Sequence, residues 1–231
     1  MKAQTTENHP SDRTRTLVLT SRSAAVLDRV RDPLAALTPA ERRRAAALPD
    51  RDDRDTFTAA HLLARIAAAE LLGCAPEDVT IRQECEYCPA EHGRPSIPLV
   101  PGLAVGWSHT RGGLVAAAAG AGPLGVDIET TPARHSPALA RRSLAPAEYR
   151  WMSEAPDPAA AFLDLWVRKE ALIKVGRLTL GTLARVDLVG NDLEPTASWE
   201  GFQLVPVRRG PLIGACALPA PAADRLTVHH L

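Results

Sequence analysis

Twice along this chain a long amphipathic helical segment is followed by a hairpin pattern, and that repeated order narrows the folds open to it. The first segment, "FTAAHLLARIAAAELLG" (57–73), sets Leu62, Ile66 and Ala69 at helical spacing and closes on Gly73, a residue suited to a helix C-terminus. The second, "PAAAFLDLWVRKEALIKVG" (158–176), carries Phe162, Leu165, Trp166, Leu172 and Ile173 as its apolar stripe and ends at Gly176. After the first come a short strand at "VTIRQ" (79–83) and then "LAVGWSH", a turn at "TRGG", and "LVAAAAG". After the second come a strand at "LARVDLVG" (183–190) and then "FQLVPV", a turn at "RRGP", and "LIGACAL", so the order helix, strand, hairpin appears twice. Gly-rich turns between alternating apolar runs are hairpin signals. The order predicts an α+β protein of two similar halves, packed as a pseudo-twofold pair with a site between them. The expected divisions are a polar tail over 1–16, an N-terminal half over 17–121 and a C-terminal half over 122–231, with the seam near "GAGPLG" (120–125).

Charge removes some function classes. Lys plus Arg and Asp plus Glu number 27 each, so bulk charge points to neither nucleic acid nor an anionic membrane surface. No run approaches the roughly 18 apolar residues of a membrane span. The first residues, "MKAQTTENHPSDRTRT", lack the apolar stretch of a secretory signal, and a cytoplasmic location is expected. Of four cysteines, Cys85 and Cys88 form a C-x-x-C pair, with His92 nearby. Structural zinc usually takes four ligands, and a second pair is missing, so this pair is expected to carry no chemistry. A zinc-stabilised interaction module is the alternative it leaves open.

The pentapeptide "GVDIE" (125–129) reads as a strand with two acids in it. Side chains alternate across a strand, so Val126 and Ile128 face a core while Asp127 and Glu129 lie side by side on the other face. Adjacent carboxylates repel unless a cation sits between them. A divalent metal with oxygen ligands meets that need, and a solvated acidic face is the plainer reading. In "WVRKEALIK", Glu170 and Lys174 are four apart and share a helix face with Trp166. Glu170 is placed to be a third acid and Lys174 to meet a phosphate; an ordinary surface ion pair is the other reading. Ser108 and His109, in "WSHT", point to opposite faces of a strand, which suits phosphate contact better than nucleophile–base chemistry. Arg94, before a proline in "HGRPSIP", is an extended forked donor matched to phosphate oxygens.

Taken in order, "GRP" at 93, "SHT" at 108, "GVDIE" at 125 and "WVRKEALIK" at 166 resemble the motifs of the 4′-phosphopantetheinyl transferases of the Sfp type, and "CEYCPAEHGRP" resembles an actinobacterial variant of their loop. "LTPAERRRAAAL" (37–48) and the helix from Phe57 add to the resemblance. Val167, Thr110 and Leu178 depart from the usual pattern without removing a charged group. The resemblance implies a monomeric, Mg²⁺-dependent enzyme. It would move the phosphopantetheine arm of coenzyme A to a serine of an acyl or peptidyl carrier protein, in polyketide or nonribosomal peptide biosynthesis, and release adenosine 3′,5′-bisphosphate. It implies Asp127, Glu129 and Glu170 as metal ligands, Glu170 also as the base, and Lys174 on the phosphates. It implies Arg94, Ser108 and His109, His109 as a cation, together with Arg44 and Arg54, as nucleotide contacts. A non-catalytic coenzyme A-binding protein is the alternative within the resemblance.

Overall fold

A computed structural model of the chain describes residues 15–85, 93–111, 113–131, 136–190 and 194–231. In chain order the elements are β1 (Thr16–Arg22), α1 (Ser23–Leu27), α2 (Pro39–Ala47), α3 (Arg51–Leu72), β2 (Arg82–Glu84), β3 (Arg94–Ser96), β4 (Leu103–Thr110), β5 (Leu114–Ala121), β6 (Gly125–Thr130), α4 (Pro137–Ser143), α5 (Pro146–Glu154), α6 (Pro158–Lys174), β7 (Ser198–Trp199), β8 (Phe202–Arg209), β9 (Leu212–Pro219), α7 (Ala220–Ala223) and β10 (Leu226–His230). The fold is α+β, as expected. One four-stranded sheet runs β10-β1-β5-β4, a second runs β6-β9-β8-β7, and β2 and β3 form a small ribbon. All the pairings within the sheets are antiparallel except β1 with β10, which are parallel.

Both long helices have chemical reasons to start and stop where they do. Asp50 caps α3 by accepting from the amides of Asp52 and Asp53, and those two acids complement the helix dipole. The helix therefore begins one and a half turns before Phe57, over a polar segment that apolar spacing does not reveal. Gly73, at φ 66°, ends it. Asp157 caps α6 through the amides of Ala159 and Ala160, and Gly176, at φ 77°, turns the chain beyond its end.

The sheets lie face to face with a helix outside each. Leu62, Leu63, Ala64, Ala67 and Ala68 of α3 pack with Leu17, Leu19, Ala117 and Ala119 on the outer face of the first sheet. Leu165 and Leu172 of α6 pack with Ile213, Ala215 and Ala217 on the outer face of the second. The opposite faces meet: Val18, Ala116 and Ala118 share a cluster with Val126, Ile128, Val207 and Cys216. This alternation places Val126 and Ile128 inward and turns Asp127 and Glu129 toward α6, as the period of two requires. Val167 and Leu178, two departures from the family pattern, are buried in the C-terminal core.

One buried ion pair shapes the segment after α6. Lys169 is fully buried, and its three N–H donors are shared among four acceptors, Glu148, Ser143 O, Leu183 O and Val186 O. Glu148 in turn accepts from the amides of Ala145 and Leu188. Burial holds the Glu148 carboxyl above its usual range and Lys169 below its own, each partly offset by the other. Because Leu183 and Val186 both aim carbonyls at this ammonium, "LARVDLVG" folds as a 3₁₀ turn over Leu183–Arg185 and a lone bridge from Val189 to Pro195, rather than as a strand. Similarly, only Arg82–Glu84 of "VTIRQE" is strand, while Val79 and Ile81 serve as buried anchors.

Candidate active site

Gly125 sets the distance between β6 and α6. A Cβ there would stand 2.5 Å from the carbonyl oxygen of Ala171 and 2.8 Å from Lys174 Cβ, so no larger residue lets the strand lie this close to the helix. The close approach brings the Lys174 ammonium onto the strand. Its Nζ donates to Asp127 Oδ1 at 2.8 Å, to Val126 O at 2.7 Å and to Trp107 O at 3.3 Å. Those three acceptors engage all three N–H donors of an ammonium. Asp127 is only 7% exposed, and its Oδ1 also accepts from Ser108 Oγ at 2.8 Å. Trp107 and Ser108 belong to β4, which lies against β6 although the two strands are in different sheets. The Lys174 side chain thus bridges the edges of both sheets.

Glu129 and Glu170 flank this group. Both are half-buried, and among the described residues neither carboxylate forms a hydrogen bond or an ion pair. Burial, followed by the charge of Asp127, pushes both carboxyls above their usual range, and Lys174 opposes the shift. Glu129 also feels Glu170. The three acids are therefore electrostatically coupled, with one ammonium among them. They do not close into a ligand set: among the described residues no three His, Cys, Asp or Glu side chains are grouped to hold a metal. The physical reason lies in Lys174, whose ammonium already sits on Asp127. As a donor set the three suit a hard divalent ion, being oxygen-only and short of positive charge.

Two cavities open on this cluster. One, of about 370 Å³, is lined by Gln83, Arg94, Pro95, Trp107, Ile173 and Lys174 among others. The other, of about 1380 Å³, is lined by Asp50, Asp53, Phe57, His109, Arg111 and Glu129 among others. Lys174 faces the first and Glu129 the second, so the acids and the lysine lie between them.

The remaining expected residues divide. Arg94 borders the first cavity, and its guanidinium lies against Gly176 at the end of α6, where a Cβ would collide with Nη2. Among the described residues the Arg94 guanidinium has no hydrogen-bond or ion-pair partner. Arg44 donates to Gln83 Oε1 at 2.8 Å and lies over the Phe57 ring, 5.1 Å from its centroid. Gln83 Nε2 donates in turn to Gly93 O at 3.0 Å, which ties Arg44 to the turn that carries Arg94. Gln83 has no motif around it and is invisible in the sequence. Arg54 Nη1 is used locally, donating to Leu48 O at 2.8 Å and Pro49 O at 3.0 Å, where it fastens the α2–α3 link. His109 lines the wide cavity. Burial and Lys174 lower its pKa, against smaller opposing effects of Asp53 and Asp127, which favours neutral imidazole over the expected cation. Cys88 and His92 lie outside the described residues.

Residues 123–205 match the family model of the 4′-phosphopantetheinyl transferase superfamily (ACPS). The matched stretch runs from just before β6 through α6 and into β8, and so includes Asp127, Glu129, Glu170 and Lys174. The match supports a transferase acting on phosphopantetheine, with coenzyme A and a carrier protein as the partners such a family implies. No curated protein matches the chain. Among the described residues no helix is long and apolar enough to cross a membrane.

Proposed function

We propose that this chain is an Sfp-type 4′-phosphopantetheinyl transferase that loads a carrier-protein serine from coenzyme A with Mg²⁺. The observation that carries the reading is a pair of half-buried carboxylates, Glu129 and Glu170, without partners among the described residues and set beside Asp127 and Lys174 inside the matched stretch. In this reading the halves 17–121 and 122–231 are related by a pseudo-twofold axis, with β10 of the second half returning to the first sheet, and the substrate enters where β4 and β6 adjoin. The enzyme works as a monomer in the cytoplasm.

The nucleotide end of coenzyme A takes the smaller cavity, bordered by Arg94 and by Gln83, which Arg44 holds through a hydrogen bond. Lys174 meets the diphosphate. Ser108 positions Asp127 through its 2.8 Å hydrogen bond, and neutral His109 offers a hydrogen bond rather than a charge. Asp127, Glu129 and Glu170 would hold Mg²⁺, which when bound neutralises charge on the diphosphate and helps align it. The serine oxygen attacks the phosphorus that carries the pantetheine arm. The phosphoanhydride bond breaks, and adenosine 3′,5′-bisphosphate departs. Glu170 takes the serine proton. Incubating candidate apo-carriers with the protein, coenzyme A and Mg²⁺ tests the reading by mass spectrometry. One phosphopantetheine should be added per carrier, and no mass gain on any acyl or peptidyl carrier would refute the reading.

A further inference from the structure

Lys174 stands where the cation demanded by Asp127 would be expected. Its three hydrogens are already committed to Asp127 Oδ1, Val126 O and Trp107 O, so none is left for a phosphate. A divalent ion on the same carboxylate oxygen would face an ammonium at hydrogen-bonding range, a like-charge contact in a mostly buried place. Metal and lysine therefore compete for Asp127. Resting on the transferase reading above, we propose that Lys174 is the resident counter-ion of Asp127, surrendered only to a diphosphate, so that the site binds a divalent cation together with the diphosphate and not alone.

The surroundings fit an exchange of this kind. The Lys174 side chain is 31% exposed and borders the smaller cavity, so its ammonium has a short path off Asp127 into that space. Arg94 borders the same cavity without a partner among the described residues, so an anion arriving there meets a guanidinium first and then draws the ammonium across. Once the ammonium leaves, Asp127 keeps the Ser108 hydrogen bond, and Glu129 and Glu170 lose the ammonium that favoured their charged forms. The event that satisfies the diphosphate thus creates the vacancy for the metal. Thermodynamic linkage makes the effect reciprocal: whatever factor the diphosphate adds to metal affinity, the metal adds to diphosphate affinity. Lys174 in this role decides which ionic form of the substrate the site accepts.

The test uses the full chain, with Mn²⁺ as the metal probe and free Mn²⁺ measured by its EPR signal, with and without saturating coenzyme A. In the unaltered protein coenzyme A should tighten Mn²⁺ binding roughly tenfold or more. In Lys174→Gln and Lys174→Met, Mn²⁺ alone should bind roughly fivefold or more tighter than in the unaltered protein, and the tightening that coenzyme A adds should shrink accordingly, to what direct attraction between metal and diphosphate supplies. Thermal melts establish that each variant folds, and the polar and apolar replacements keep the test informative if one of them does not. Equal Mn²⁺ binding by the unaltered protein with and without coenzyme A would overturn the proposal. So would variants that retain weak ion-only binding, a result that leaves the metal reading of the acids standing. Absence of Mn²⁺ binding by every protein under both conditions would bring down that metal reading as well.

Discussion

Replacing Gly125 by alanine adds a single methyl group and tests how the site is spaced. No positive φ is involved, so the backbone tolerates alanine and the effect is steric. The new Cβ would fall 2.5 Å from Ala171 O and 2.8 Å from Lys174 Cβ, with Val175 Cγ1 at 3.2 Å. Ordinary carbon contacts need about 3.5 Å or more, so strand and helix must part by about 1 Å. Overpacking of this kind costs about 1–3 kcal/mol. The larger effect falls on chemistry. Asp127 lies two residues along β6 and Lys174 is one of the groups pushed away, so the 2.8 Å contact between them opens with the helix. A displacement of about 1 Å in a reacting constellation can lower turnover on the order of a hundredfold. Carrier loading followed by mass spectrometry gives the rate, and thermal or urea unfolding gives the stability. A Gly125→Ala protein with normal turnover and an unchanged melting curve would show that the strand–helix distance does not set the site.

Three other outcomes follow from the geometry. Glu170→Gln should lower turnover by about 10²- to 10⁴-fold, because the amide cannot take the serine proton, while coenzyme A affinity measured by calorimetry without added divalent metal changes little. Lys169→Met leaves Glu148 buried without its ammonium and should cost about 3–5 kcal/mol in urea unfolding, with partial recovery when Glu148→Gln is added. His61 is buried beneath Phe57 and Trp107, and burial lowers its pKa from 6.5 to about 4. The unfolded chain therefore takes up this proton before the folded one does. The stability that neutral His61 permits is present above pH 6.5 and is lost as pH falls toward 4, by about 2 kcal/mol at pH 5. His61→Gln should flatten that part of the stability–pH profile in denaturant titrations between pH 7.5 and 5.

What the sequence disclosed was local. Alternation along "GVDIE" places Asp127 and Glu129 on one face, and four-residue spacing places Glu170 and Lys174 on another, because both rules concern one element at a time. The fold then sets the two faces against each other. Which acceptors Lys174 chooses was not legible, since Trp107 O comes from a different sheet and its nearness depends on how β4 lies against β6. An ion pair within one helix face gave way to a contact between elements for the same reason. Arg54 shows the reverse failure: carbonyls six and five residues back claim its guanidinium, and nothing in the composition signals that they would. Gln83 was missed because a glutamine between two charged residues carries no periodicity or motif. The strand expected in "LARVDLVG" follows apolar residue types correctly, but the buried Lys169 recruits those carbonyls first.

The parallel pairing of β1 with β10 has a consequence for how the chain is made. Thr20 and His230, neighbours in the first sheet, are 210 residues apart. A ribosome delivers residues in order, at about 5–20 per second. The strand at the start of the first sheet must therefore wait some tens of seconds before its parallel neighbour emerges, with a row of amides and carbonyls unpaired meanwhile. Its antiparallel partner β5 arrives about halfway through that interval and can protect one side, leaving the other edge open to a stray strand from a second nascent chain. Fusing the region of β10 ahead of β1 would remove that interval. The present order makes completion of the first sheet a late event, coupled to the folding of everything encoded between them.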